Sequence, residues 1–136
     1  MSSVDGAPAV LARVPAGMHI DGRWVAAIDG EEFDSVDPAT GRVIARVPRA
    51  RAADVDRAVA AARSAFDDGR WGEAVSARDR ARILHRMSDL VRERRDELVE
   101  IEVLDCGKPL ADARGDIDEV AFMFEYYAGW ATKIAG

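Results

Sequence analysis

The sequence has a single cysteine, Cys106, and two histidines. One cysteine cannot form an internal disulfide, so we expect a reducing compartment, with the cytoplasm as the default. His19 and His85 are far apart, and neither has a second ligand at metal-binding spacing. No apolar run is long enough to cross a bilayer. Asp5 and Pro8 stand where a secretory signal peptide needs a basic end and an unbroken apolar stretch.

An excess of basic residues is also missing. The chain carries 25 Asp and Glu against 19 Lys and Arg, for a net charge of -6. Phosphate binding needs clustered Lys and Arg, whereas here they alternate with acids, as in residues 92–97. No Gly-x-Gly-x-x-Gly or other phosphate-loop pattern occurs. We therefore expect no nucleic-acid partner, no membrane partner and no dinucleotide-binding loop in this sequence.

The composition is that of a folded domain. The chain has 136 residues, of which 49% are hydrophobic and 32% are charged, enough for one modest domain. Residues 1–18 are small, dotted with Pro and Gly, and lack periodicity. They are predicted to form a flexible N-terminal tail ahead of a domain at residues 19–136.

The first part of that domain has the pattern of β-strands. Residues 19–25 predict a short strand with Asp21-Gly22 as a turn signal. Residues 32–36 and 42–47 predict two further strands. They are joined by residues 37–41, where Pro38 fixes φ and Gly41 permits positive φ. The sequence therefore predicts a β-hairpin or meander.

Apolar residues at helical spacing predict about three helices after these strands. The first includes Val55 and Phe66 and stops near Gly69. The second starts at Ser76 as N-cap, and residues 83–104 form either one helix or two, broken near residues 95–96. The third covers about residues 111–134.

Three short motifs occur in a characteristic order: Asp-Pro-Ala-Thr-Gly at 37–41, Leu-Asp-Cys-Gly-Lys-Pro at 104–109 and Tyr-Tyr-Ala-Gly-Trp at 126–130. Their order and spacing resemble the N-terminal segment of the aldehyde dehydrogenase superfamily, from about residue 19 to residue 136. Residues 104–110, 116–121 and 124–128 are most similar to its betaine-aldehyde and aminoaldehyde branch. The resemblance implies an α/β fold, in which the hairpin or meander is followed by helices that pack beside a Rossmann-like cofactor-binding sheet.

Enzymes of this family oxidise aldehydes to carboxylic acids with NAD or NADP. Their nucleophilic Cys, their catalytic Glu and Asn, and their dinucleotide loop lie downstream of the matched segment. The resemblance thus implies no catalytic and no cofactor-binding residue in this chain. Alone, the chain is expected to be inactive and to bind no cofactor tightly.

The family pattern continues past residue 136, so we expect a truncated product or half of a split gene. Its expected partner is then the remainder of the dehydrogenase or a homologous subunit, in a family where dimers and tetramers are usual. The alternative is a non-catalytic interaction module or truncated relic that docks on a partner or a full-length homologue.

Asp116, Glu119 and Met123 are spaced to share one helix face. The resemblance implies that they line the substrate entrance, where carboxylates beside apolar groups suit a cationic substrate end. The alternative is an ordinary solvated helix start, because acidic residues favour the positive end of the helix dipole.

Val36 and Asp105 match the monovalent-cation site of the family. A carboxylate with loop carbonyls is suitable chemistry for K⁺ or Na⁺. The alternative is an acidic residue at a helix C-terminus, which is unfavourable against the dipole and needs compensation.

Cys106 is expected to be a small buried thiol at a helix end, because it stands in the wrong motif for the family nucleophile. Tyr126, Tyr127 and Trp130 suggest a stacking surface. Aromatic residues at helical spacing more often pack against a neighbouring layer, and we favour packing. Without such a layer, we expect an exposed apolar patch made of Val120, Phe124, Tyr127 and Trp130, which would leave the isolated chain marginally folded or self-associated.

Overall fold

The structure, a computed structural model, describes residues 6–15 and 17–134. It divides into two compact units. The first unit holds the described residues up to Asp68 together with Leu104–Gly107, and the second holds Gly69–Val103 and the described residues from Lys108 onward. Two small antiparallel sheets and four α-helices give the α/β class that the sequence predicts.

The first unit contains two separate hairpins. Strand β1 (Met18–Ile20) pairs with β2 (Arg23–Val25), so the single strand predicted at residues 19–25 is wrong. Asp21 and Gly22 both have positive φ, 50° and 73°, which matches the two-residue turn that suits tight hairpins. The turn signal in the sequence was therefore strong enough to fold the segment back on itself.

The second hairpin confirms the prediction for residues 32–47. Strand β3 (Glu32–Val36) pairs with β4 (Val43–Pro48). In the connecting turn, the buried Asp37 carboxylate accepts hydrogen bonds from the Thr40 hydroxyl at 2.7 Å and the Ala39 amide at 2.8 Å. The Thr40 bond, followed by the Ala39 bond, lowers the pKa of Asp37.

Helix α1 (Ala52–Asp67) follows the hairpins and ends just before Gly69, as predicted. The buried Asp54 carboxylate accepts from the backbone amides of Arg51 and Ile28, each at 3.0 Å, and so joins the helix start to a preceding loop. The apolar face that predicted the helix remains largely exposed, with Phe66 at 75%.

A short 3-10 helix at Ala9–Arg13 lies within the segment predicted as a tail. Its Val10 and Leu11 are buried, and five residues are too few for a periodic pattern to reveal them. Residues 1–5 and 16 of the predicted tail lie outside the described residues. The domain boundary at residue 18 stays a prediction.

Residues 83–104, nearly all of them in the second unit, belong to two helices, which decides between the alternatives of one helix and two that the sequence left open. Helix α2 (Ala77–Glu93) begins at the predicted N-cap, where the Ser76 hydroxyl oxygen accepts from the Asp79 amide at 3.1 Å. It ends at Glu93, and the C-cap residue Arg94 has φ −108° and ψ 18°. Helix α3 (Arg95–Cys106) starts at the next residue, and its last three residues belong to the first unit.

Helix α4 (Leu110–Trp130) completes the second unit and is shorter than the predicted span of 111–134. The break at Arg94 is why the described residues contain four α-helices where the sequence predicts about three. None of the helices in the described part of the chain is long and apolar enough to span a membrane.

Candidate functional site

Helix α4 packs on α2 through small side chains. Its buried residues are Ala113, Ala121 and Ala128, whose spacing of eight and seven places them along one stripe. The buried Ser88 of α2 donates its hydroxyl proton to the Ala121 carbonyl at 2.6 Å. Small residues at the contact let the two helices approach closely enough for this bond.

Ion pairs at the edge of this contact fix α4 further. Arg92 donates to the Ser88 hydroxyl oxygen at 2.7 Å and pairs with Glu125. Arg95 forms a two-pronged pair with Asp118 at 2.6 and 2.7 Å, which lowers the pKa of that carboxyl. No local pattern in the sequence predicts this network. A polar Ser88 in the apolar stripe was the available signal.

A cavity of about 380 Å³ opens beside the α2–α4 contact. Its lining side chains are Leu84, Glu119, Val120, Met123, Phe124 and Tyr127. The structure therefore brings together Glu119 and Met123, two of the three residues predicted at a substrate entrance. The entrance role itself stays a prediction.

Asp116, the third predicted entrance residue, is engaged elsewhere. Its carboxylate lies 2.5 Å from the Lys108 ammonium, which also lies 2.6 Å from the Glu102 carboxylate. Asp116 is not among the residues that line the cavity. The spacing of residues in the sequence does not predict the role of Lys108, because its two partners come from different helices.

The chemistry of the cavity follows from its walls. Five of the six lining side chains are apolar or aromatic. Almost all of the exposed lining surface is apolar, so Glu119 contributes the hydrocarbon part of its side chain to the wall. Apolar walls favour burial of a hydrocarbon group, and the aromatic faces of Phe124 and Tyr127 favour a cation. The volume lies in the range of small-molecule sites.

The predicted cation ligands lie in the first unit. The Ser35 hydroxyl donates to the Asp105 carboxylate at 3.3 Å, which places Asp105 beside the residue that precedes Val36. Among the described residues, no three His, Cys, Asp or Glu side chains group as metal ligands do. One carboxylate and nearby carbonyls match the oxygen preference of a hard cation, although several more ligands are needed.

The expectation of a buried thiol is wrong, because Cys106 is exposed. It is the last residue of α3, and the chain leaves the helix at Gly107, which has a φ of 67°. The three aromatic residues predicted to form a stacking surface are about half exposed, at 47% for Tyr126, 57% for Tyr127 and 47% for Trp130, whereas Phe124 of the predicted patch is partly buried. Their packing against a further layer stays a prediction.

Known proteins with similar sequences identify the family to which this architecture corresponds. The sequence model of the aldehyde dehydrogenase family matches residues 24–136. Aldehyde dehydrogenase family 2 member B4, mitochondrial, of Arabidopsis thaliana is 46% identical over 118 residues, which are 86% of this chain and 22% of that protein.

Two solved structures share the fold. An NAD-dependent aldehyde dehydrogenase from Sinorhizobium meliloti aligns over 100% of this chain and 27% of its own, with a TM-score of 0.86 and 39% identity. A double mutant of betaine aldehyde dehydrogenase from Staphylococcus aureus, in complex with NAD⁺, aligns over 93% of this chain and 25% of its own, with a TM-score of 0.89 and 33% identity. The chain thus spans about a quarter of the length of these proteins.

Proposed function

The chain belongs to the aldehyde dehydrogenase family, and from that premise we propose that it is the N-terminal part of an NAD(P)-dependent enzyme that oxidises aldehydes to carboxylic acids. The observation that carries the proposal is the match to the family over residues 24–136. NAD is the proposed cofactor, because two structural neighbours are named as NAD-dependent or as an NAD⁺ complex.

In this proposal the chain contributes the N-terminal part of the fold and the entrance for the substrate, and the remainder of the dehydrogenase contributes the groups that react. The reacting groups and the cofactor loop belong to the remainder, so the chain alone has no dehydrogenase activity. Its partner is that remainder or a homologous subunit. The single cysteine supports a reducing compartment such as the cytoplasm.

The proposed substrates are betaine aldehyde or amino aldehydes. The cavity in the second unit supports this choice, since the aromatic side chains of Phe124 and Tyr127 stand in its wall beside Glu119. Such walls stabilise a trimethylammonium or ammonium group at the far end of the aldehyde. Asp116 does not line the cavity, and its carboxylate pairs with Lys108, so its contribution to binding a cationic substrate is indirect.

A monovalent cation, K⁺ or Na⁺, is proposed near Val36 and Asp105. Support comes from the hydrogen bond between Ser35 and Asp105, which holds the carboxylate close to the end of β3. Further oxygen ligands have to come from backbone carbonyls or from the remainder of the enzyme.

The second candidate function is a non-catalytic interaction module. The exposed apolar side chains of α4 favour it, since Phe122, Tyr127 and Trp130 are each about half exposed. A face of that kind on an isolated chain can bind a full-length homologue and perturb its assembly.

The test is NAD(P)H production from betaine aldehyde and 3-aminopropionaldehyde. The chain is assayed alone and after mixing with a polypeptide that carries the remainder of the fold. Activity only in the mixture supports the proposed enzyme. Activity of the chain alone overturns the placement of the chemistry, and no activity in either sample favours the interaction module.

A variant of the same assay tests the cavity. Glu119→Gln in the mixture should raise KM for betaine aldehyde by about three- to tenfold and leave KM for propanal unchanged. Asp112→Asn is the matched control, because it removes a carboxylate from the same helix outside the cavity. Equal effects of the two variants would remove the support for a cationic substrate.

A further inference from the structure

The two lysines of this chain have very different surroundings. The sequence has 17 arginines and only two lysines, Lys108 and Lys133. The Lys108 ammonium lies between two carboxylates, 2.6 Å from Glu102 and 2.5 Å from Asp116, and its side chain is 28% exposed. Lys133 follows the end of α4, is exposed, and forms no ion pair with any residue that the structure describes.

This difference matters for a protein that meets aldehydes. A neutral amine attacks the carbonyl carbon with its lone pair, and the resulting carbinolamine loses water to leave an imine, with no oxidant or reductant needed. An ammonium group has no lone pair to offer. Arginine stays protonated under these conditions, so lysine is the side chain whose amine condenses in this way.

We propose that Lys133 is the side-chain amine of this chain that aldehydes modify, and that Glu102 and Asp116 keep Lys108 unreactive by holding its ammonium between them. The proposal rests on the proposed function for the premise that aldehydes are present. The hydrogen bonds from Asp116 and Glu102 support it, because they raise the pKa of Lys108.

Protection of Lys108 also preserves the structure around it. Glu102 lies on α3 and Asp116 on α4, so the ammonium bridges two helices at the turn that joins them. An imine replaces N–H donors with a carbon substituent. One of the two ion pairs would then be lost together with the helix contact that it makes.

The experiment is reductive trapping of adducts on the purified chain. Propanal and cyanoborohydride are added near neutral pH, and labelling of each lysine is followed by peptide mass spectrometry. In native buffer, Lys108 should be labelled at least about tenfold more slowly than Lys133, since one unit of pKa changes the neutral fraction about tenfold. In concentrated urea the two rates should become equal.

Variants of the two carboxylates test whether Lys108 is labelled slowly because of its ion pairs or only because its side chain is partly buried. Glu102→Gln and Asp116→Asn should each speed labelling of Lys108, whereas Glu100→Gln, on the same helix as Glu102, should leave it unchanged. Equal labelling of both lysines in native buffer, slow Lys108 labelling that persists in urea, or equal effects of Glu100→Gln and Glu102→Gln would overturn the proposal.

The assay needs no dehydrogenase activity. A protected Lys108 in a chain that stays inactive with every partner polypeptide would therefore count against the proposed function alone. An active mixture with an unprotected Lys108 would count against the inference alone.

Discussion

At the scale of single residues, Gly107 has a left-handed backbone conformation that is unfavourable for residues with a Cβ atom. Its φ is 67°, and a Cβ built there would lie 2.6 Å from Cγ of Pro38. Gly107→Ala should therefore lower the free energy of unfolding by roughly 1–3 kcal/mol, through backbone strain and the clash. Urea titration followed by circular dichroism measures the change.

The matched control is Gly115→Ala in the middle of α4. A Cβ at Gly115 meets nothing within 4 Å, and its φ is not positive. Alanine there should raise the free energy of unfolding by up to about 1 kcal/mol, because it has the higher helix propensity. If both variants shift stability in the same direction, the strain assigned to Gly107 is wrong.

A second residue-scale prediction concerns acid sensitivity at Asp37. Its pKa is lowered by bonds to Thr40 and Ala39, so the folded state binds a proton less readily than the unfolded chain. The stabilisation is complete above about pH 4, the unfolded value, and is lost as pH falls through the lower folded pKa. The melting-temperature gap between the natural chain and Asp37→Asn should shrink on acidification.

The exposed Asp56 of α1 supplies the control for this prediction. Asp56→Asn removes the same charge without touching the turn at residues 37–41. A gap that stays constant from neutral pH to below pH 4 for Asp37→Asn, or one that shrinks equally for Asp56→Asn, would contradict the role given to the turn.

At the scale of elements, the start of α2 depends on one hydroxyl. The Ser76 oxygen accepts from the Asp79 amide, which otherwise has no partner in the first turn. Ser76→Ala should cost about 1 kcal/mol, whereas Ser76→Gly should cost only a few tenths. Thermal melts of both variants measure the loss of stability. Ser64→Ala, within α1, is the control for the general effect of losing a serine.

Elements with local causes were the ones that the sequence could predict. Ser76, Gly69 and the turn at residues 37–41 each act through backbone groups close in the chain, and the structure has the expected elements there. The break at Arg94 was only an open alternative, because apolar spacing continues through it. At residues 18–25 the sequence marked the turn but not the separate strands on either side of it, because three-residue strands have no measurable period.

The candidate site divides in the same way. Glu119 and Met123 share a helix face, so their spacing alone brought them together, and both line the cavity. Asp116 has the right spacing as well, but Lys108 competes for its carboxylate. Contacts such as that of Ser88 with Ala121 join residues 33 positions apart, and no local pattern in one sequence encodes them.

At the scale of the whole molecule, apolar surface is left uncovered in both units. In the first unit, Val59 and Phe66 of α1 are 61% and 75% exposed. In the second, large side chains of α4 are each more than 40% exposed: Val120, Phe122, Met123, Tyr126, Tyr127 and Trp130. Contiguous apolar patches of several hundred square ångströms are uncommon on monomers and mark surfaces that a partner covers.

The isolated chain should therefore self-associate, because burying these side chains against a second copy removes apolar area from water at about 25 cal/mol per Å². Light scattering over a dilution series should give a mass above that of one chain at high concentration. Tyr127→Ser with Trp130→Ser should weaken the association, and Asp112→Ser with Arg114→Ser, polar changes on the same helix, should not. A monomer at every concentration with a sharp cooperative melt would contradict the prediction. It would also weaken the proposal that the remainder of a dehydrogenase covers the exposed face of α4.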